Sequence, residues 1–379
     1  MFHGAELGVT ANLRLPDLLR AVSSRPKLRR NAWRLEGTEA SSGKPLSVLC
    51  AASGQTRHYL AQLLFGEDIR EIDLGPLWLW NLYRAGWARK QGYAFIAIQT
   101  DPALRRFLKE DAWFFIPLWL IGNVALPIPD ALLKGGSIRS EIRAVRKGGL
   151  QGRVTREPEC FDDFYHNMYV PHVTRAHGSS VYVNPYDTMR ARLADSDLVL
   201  IHDGERDIAG MMVLYEQDRP RLWSAGVRDG DRDYLQKGAL AAVYHFCFQY
   251  LAAKHFSSVS LGLSRAFLND GILRYKHKWA QRLVGTVPDR IAWKVIAETP
   301  ASKSFLQNNP FIFEKSGKLY GAVFLADQDP VTTDHAERLK KQYFHDGLAT
   351  LILFGPHPGD MPQGLELPTD VALESRPSQ

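Results

Sequence analysis

Apolar and polar positions repeat along this chain with two different periods, and the changes between them mark its elements. "LSVLCAA", from Leu46, is apolar enough for a buried strand. "QTRHYLAQLLFG" follows with helical spacing and stops on Gly66. "EIDLGPLWLW" reads as a strand and turn, "LWNLYRAGWARKQG" as a helix and "YAFIAIQTD" as a strand. "PALRRFLKE" reads as a short helix with proline at its start. "AWFFIPLWLIGNVALPIP", Ala112 to Pro129, carries no charge over eighteen residues. Its three prolines break any long helix. Two buried strands are therefore expected there, not a membrane span, which needs about 20 uninterrupted apolar residues.

The second half is more regular. Glycine pairs at Gly135-Gly136 and Gly148-Gly149 bracket a helix and mark a boundary. Phe161, Phe164, Tyr165 and Met168 then line one helical face. "DLVLIHD", "DIAGMMVLYEQ" and "RLWSAGV" read as three strands of a meander, with a turn at Asp203-Gly204. A helix from Tyr234 to Lys254, apolar on nearly every side, leads to the strand "SSVSLGL". An antiparallel meander followed by a crossover helix and a parallel strand makes a mixed sheet. "GAVFLAD" and "LATLILFG" are further strands, and "TDHAERLKKQYFHDG" a further helix.

The fold class is thus α/β with mixed sheets. The expected division is a poorly defined segment over 1–44, a first α/β unit over 45–136 and a second over 137–300. An α/β extension packing on the core follows over 301–354. The proline- and glycine-rich tail, 355–379, is expected to be disordered.

Composition changes this picture little. The 379 residues are 45% hydrophobic and 23% charged, with a net charge of +6. That is mildly basic, well short of a dedicated nucleic-acid binder, and it favours anionic partners or an anionic lipid surface. Cys50, Cys160 and Cys247 lack the spacing of a zinc site or a disulfide framework. Reduced thiols and the absence of a signal-peptide pattern at the first residues point to the cytoplasm, with the inner face of a membrane as a further option. P-loop, GxGxxG, GxSxG and HExxH motifs are absent, and no metal ligand set can be read.

Five stretches carry more information together than singly. They are "SIRSEIRAVRKGG", "FDDFYHNMYVPHVTRAHG", "LVLIHDGERDIAG", "SAGVRDGDRDYLQKGALAAVYHF" and "SLGLSRAFLNDGILRYKHKWAQRL". In that order, over Ser137 to Leu283, they resemble the FemAB-like branch of the Gcn5-related N-acetyltransferase (GNAT) superfamily. The resemblance implies tandem GNAT-like sheets, with 45–136 a degenerate first domain and 137–300 the acyltransferase domain. It also implies an aromatic-lysine pair shortly after the last core strand, and Tyr275-Lys276 occupies that place. A lysine there would stabilise the oxyanion of a carbonyl under attack. Read without the resemblance, Lys276, His277 and Lys278 are surface cations framing a buried Trp279.

Other candidates follow from residue type and position. His177 could take a proton from an attacking amine, and Arg175 beside it could hold the acceptor. Tyr215, late on the second meander strand, could protonate a leaving thiolate. Gln236, Lys237, Gly238 and Ala239 stand where a GNAT carries its pyrophosphate loop, at a helix start. The motif has one glycine where two are expected, and Asp229, Asp231 and Asp233 lie just upstream. Arg265 is a further anion contact at a strand's C-terminal end. Arg139, Arg143, Arg146 and Lys147 form one basic stripe, with Arg143 the candidate for substrate phosphate or lipid headgroup.

The resulting expectation is an amide-forming acyltransferase with no permanently bound cofactor. Acyl-CoA or acyl carrier protein is the donor, and an amine is the acceptor. Trp78, Trp80, Trp113 and Trp119 with the uncharged segment suggest an apolar chain, so the acceptor could be a long-chain or sphingoid-type lipid amine at a membrane surface. Two alternatives stay open. One is a peptidoglycan transferase using charged tRNA, the only nucleic acid the reading admits. The other is an inactive GNAT-like binding module in polysaccharide or lipid assembly.

Overall fold

The computed structural model describes residues 29–66, 69–136, 138–177, 183–217, 219–329, 332–355 and 366–376. The strands are β1 (Arg29–Thr38), β2 (Pro45–Ala51), β3 (Ile69–Trp78), β4 (Phe95–Thr100), β5 (Phe114–Pro117), β6 (Leu120–Ala125), β7 (Gln151–Thr155), β8 (Ser196–His202) and β9 (Asp207–Glu216). They continue with β10 (Arg219–Val227), β11 (Ser258–Ser264), β12 (Arg282–Thr286), β13 (Arg290–Val295), β14 (Phe311–Lys315), β15 (Lys318–Phe324), β16 (Thr350–Gly355) and β17 (Val371–Ser375). Two mixed sheets result. One has ten strands in the order β17-β16-β15-β14-β5-β13-β4-β2-β1-β3, the other seven in the order β12-β6-β11-β10-β9-β8-β7.

The uncharged segment forms the two expected strands, β5 and β6, but they part company: β5 joins the first sheet and β6 the second. In return β13, from the second unit, lies inside the first sheet between β5 and β4. The sheets therefore do not divide at 136/137. Part of the segment expected to be poorly defined, Arg29–Thr38, is β1, paired with both β2 and β3. Part of the expected disordered tail is β17, a parallel edge strand on β16. Both were missed because a strand's stability comes from the neighbours it pairs with, not from its own composition. Residues 1–28, 356–365 and 377–379 lie outside the described residues.

Local chemistry explains the helices that frame the site. Ser53 caps Gly54–Phe65 by accepting from the Thr56 N–H, and Asp270 caps Gly271–Lys278 by accepting from the Leu273 N–H. The helix with the Phe161–Met168 face is present and those four residues are buried, with a π-helical stretch at Phe164–Tyr169. Two expected helices are broken. The first ends at Tyr83 and restarts at Ala85, with Arg84 extended. The second is split into Arg232–Gln236 and Ala239–Ala253 by Gly238, which has φ 87. A Cβ at Gly238 would also sit 3.3 Å from Val145, on the helix Ile138–Lys147. That site suits glycine twice over, for its backbone and for the close approach.

Candidate active site

In the second sheet β8, β9 and β10 form the antiparallel meander, and β11 returns parallel to β10 after the helix Ala239–Ala253. β10 and β11 share a single register pair, Arg221 with Ser260. Beyond it both strands bulge, β10 between Leu222 and Ser224 and β11 between Ser260 and Leu263. Gly262, at φ 70, lies in the β11 bulge, where a Cβ would sit 3.1 Å from the Leu222 carbonyl of β10.

Lys276 reaches this point from the helix Gly271–Lys278. The residue is 4% exposed, and its ammonium donates to the Leu263 carbonyl at 2.8 Å and to Ser264 Oγ at 3.1 Å. Neither partner is charged. Burial therefore pulls its pKa down to about 7, against a smaller upward pull from Asp270. The lysine is not one of a row of surface cations. His277, next in sequence, has its ring centroid 4.1 Å from that of His345, tilted by 43°, and burial lowers the pKa of both. Trp279 is fully buried against Tyr244 and Phe248.

Arg265 leaves β11 one residue past Ser264. Its guanidinium lies between two rings, 4.1 Å from Tyr59 and 3.8 Å from Trp119. Burial lowers its pKa, offset by Tyr59 and Asp270. It ties the helix Gly54–Phe65 to the end of β11, so its aromatic contacts are made within the protein.

The remaining expected site residues scatter. The Tyr275 hydroxyl donates to Glu141 Oε2 at 3.3 Å, and Lys278 holds the other oxygen of that carboxylate at 2.8 Å. Tyr275 thus fastens its helix to Ile138–Lys147 and presents no free hydroxyl to a ligand. Tyr215 pairs with Pro220 at the start of β10, roughly 15 Å along the strands from Ser264. Its hydroxyl donates to Asp197 Oδ2 at 2.7 Å. The carboxylate and burial both raise its pKa, which is the wrong direction for a proton donor. The structure does not bring Tyr215 to Lys276.

Arg175, on Val170–His177, donates to the Gly230 carbonyl at 3.4 Å, on the turn leading into Arg232–Gln236. His177 ends that helix, and its side chain is outside the described residues. Gln236 and Lys237 are exposed, whereas Gly238 is buried against Ile138–Lys147 and Ala239 is also buried. Arg143 and the rest of the basic stripe lie exposed on the outer face of that helix.

Sequence reasoning missed Asp197. This 2% exposed carboxylate accepts from the hydroxyls of Tyr215 and Tyr250, from Arg156 at 2.6 Å and from Lys254 at 3.1 Å. The four donors outweigh burial and hold its pKa down at about 2. They come from three places, the residue after β7, the strand β9 and the end of the helix Ala239–Ala253, a convergence that no local pattern encodes.

The antiparallel meander, the crossover helix and the parallel β11 reproduce the mixed sheet expected from the sequence. The fold is GNAT-like. No protein-family model matches the sequence, and no curated protein matches it. Among solved structures, FemX aligns at 11% identity over 71% of this chain and 86% of its own, with a TM-score of 0.36. The C-terminal domain of a putative lysylphosphatidylglycerol synthetase from Agrobacterium fabrum aligns at 13% identity over 72% of this chain and 83% of its own, TM-score 0.34. A GCN5-related N-acetyltransferase from Sphaerobacter thermophilus aligns at 12% identity over 67% and 74%, TM-score 0.31.

Proposed function

We propose that the protein is an acyltransferase that moves an acyl group from a thioester to an amine. One observation carries this: a buried lysine with no ion-pair partner among the described residues, bonded just past the single register pair of β10 and β11. A buried ammonium facing only neutral acceptors lowers stability, and such an arrangement is expected where chemistry needs it. The ammonium has three N–H bonds and uses two on Leu263 and Ser264. The third is available to the thioester carbonyl oxygen.

In the reaction the amine nitrogen attacks the carbonyl carbon, and negative charge grows on that oxygen. The Lys276 ammonium stabilises it there, in a site shielded from water. Collapse of the tetrahedral intermediate breaks the C–S bond, the amine loses one proton and the leaving thiolate gains one. With a pKa near 7, Lys276 is able to exchange that proton at neutral pH.

Two features refine the substrates. Gly238, the one glycine of the expected pyrophosphate loop, is buried against Ile138–Lys147, which favours an acyl carrier protein over free acyl-CoA as the donor. Leu263, Ile272 and Val284 are 41–52% exposed on β11, the Lys276 helix and β12. They support an apolar acyl chain or a lipid amine, with the stripe around Arg143 facing anionic headgroups. Among the described residues no helix is long and apolar enough to cross a membrane.

The test is to incubate the full chain with a long-chain acyl thioester, on carrier protein or CoA, and a sphingoid amine. Mass spectrometry follows the amide while a thiol reagent follows the free thiol. Both products should appear together and vanish in Lys276→Ala. Amide formation that survives this substitution would remove the basis of the proposal.

A further inference from the structure

A second site lies in the first sheet, in a part of the molecule that the acyl-transfer chemistry does not use. β2 and β4 are adjacent and parallel, so their C-terminal ends open on the same edge. From there the chain departs in opposite directions. After β2 it passes through Gly54–Phe65 to β3, beyond β1; after β4 it passes through Pro102–Arg105 to β5, beyond β13. Two crossovers that diverge from neighbouring strand ends leave a crevice between them, and open α/β sheets bind small ligands at such points. The crevice is present here as an open cavity of about 450 Å³. That volume suits a small metabolite.

Its lining has a definite chemistry. Arg29 and Arg30 reach it from the start of β1, and Ser53 and Gly54 place the beginning of a twelve-residue helix on its wall. Arg29 stacks on Trp78 at 4.2 Å and has no carboxylate partner among the described residues. Arg30 touches Asp101 at 3.4 Å, and its Nε is buried without a hydrogen-bond partner. Two guanidinium groups and the first N–H groups of a helix make an anion site. The lining also carries hydrogen-bond acceptors, Asp101 and Asp289. Asp289 takes one from Gln99 Nε2 at 3.1 Å and keeps further lone pairs free, since a carboxylate offers about four.

We propose that this crevice binds a phosphate monoester of a small polyhydroxylated molecule. The phosphate meets Arg29, Arg30 and the helix start, and the hydroxyls donate to Asp101 and Asp289. The assignment is independent of the acyl-transfer reading, because none of these residues touches Lys276.

Isothermal titration calorimetry on the full chain tests it with glucose 6-phosphate, glucose and inorganic phosphate as probes. Glucose 6-phosphate should bind saturably at one site and at least about tenfold more tightly than either fragment. Arg29→Gln and Arg30→Gln should each weaken it by about tenfold or more. Ala52→Trp, which fills the crevice, should abolish it, and Arg70→Gln, which removes an exposed cation from the same sheet, should not change it. A melting curve on each variant separates lost binding from lost folding. Absence of saturable binding by the natural chain, or unchanged binding by a folded Ala52→Trp protein, would overturn the site. Equal affinity for inorganic phosphate would overturn the hydroxyl-bearing ligand class.

Discussion

Asp197 and Lys276 are both charged groups buried in the second unit, and their surroundings could hardly differ more. Asp197 has four donors, two of them cationic, and its charge is stabilised so well that its pKa falls to about 2. Lys276 has a carbonyl and a hydroxyl, and its charge is so poorly supported that its pKa falls to about 7. Both shifts are downward, yet they mean opposite things. For an acid a lowered pKa marks a favoured charge, and for a base it marks a disfavoured one. The first group knots elements together, whereas the second is an uncompensated buried charge, the kind of arrangement that the proposed chemistry would use.

Substitution should separate the two roles. Lys276→Met keeps the length of the side chain and removes the charge. Amide formation should drop by about 10²–10³-fold, the scale for losing one oxyanion donor. Its melting temperature at pH 7 should not fall, and a marked fall with unchanged activity would make Lys276 structural. Asp197→Ala should do the reverse. Two phenols and two cations lose their acceptor, so unfolding free energy should decrease by about 2–4 kcal/mol in urea titration. Activity per folded molecule should be little changed.

The pH dependence of stability sharpens the contrast. Between about pH 7 and 10.5 the unfolded chain holds a proton on Lys276 that the folded chain has released. Stability from this group therefore rises with pH across that window, and the rise should be missing in Lys276→Met. Asp197 acts at the other end. Its contribution is complete above the ordinary carboxylate value of 3.8 and is lost as pH falls towards about 2. Denaturation midpoints taken at half-unit intervals would resolve both. The smallest effect belongs to Tyr215→Phe, which removes one of the four donors to Asp197. A loss of about 1 kcal/mol with no effect on amide formation is expected, measured by the same urea titration and product assay.

How much of this was legible follows from the range of the interactions. Periodicity located the meander, the crossover helix and β11, because each buries a face set by residues two to four apart. Tyr275-Lys276 could be flagged from its place after a strand. The lysine's burial could not, since it depends on a bulge at Gly262 in another element. Tyr215 looked available because its partner, Asp197, stands on a different strand. The helix over 234–254 looked continuous, because one glycine in an apolar run does not announce a left-handed turn. The close approach at that turn is to Val145, far away in sequence. β17 had no pattern of its own and is held by β16 alone.

The exchange of β6 for β13 has a practical corollary. A gene divided near Gly136 would deprive one half of a strand that normally lies between β12 and β11. The other half would lack the strand that joins β5 to β4. Each fragment would expose raw ladder edges in its interior, an invitation to aggregate. Neither half is a detachable cassette, and any attempt to express one without its counterpart must supply the missing strand in trans.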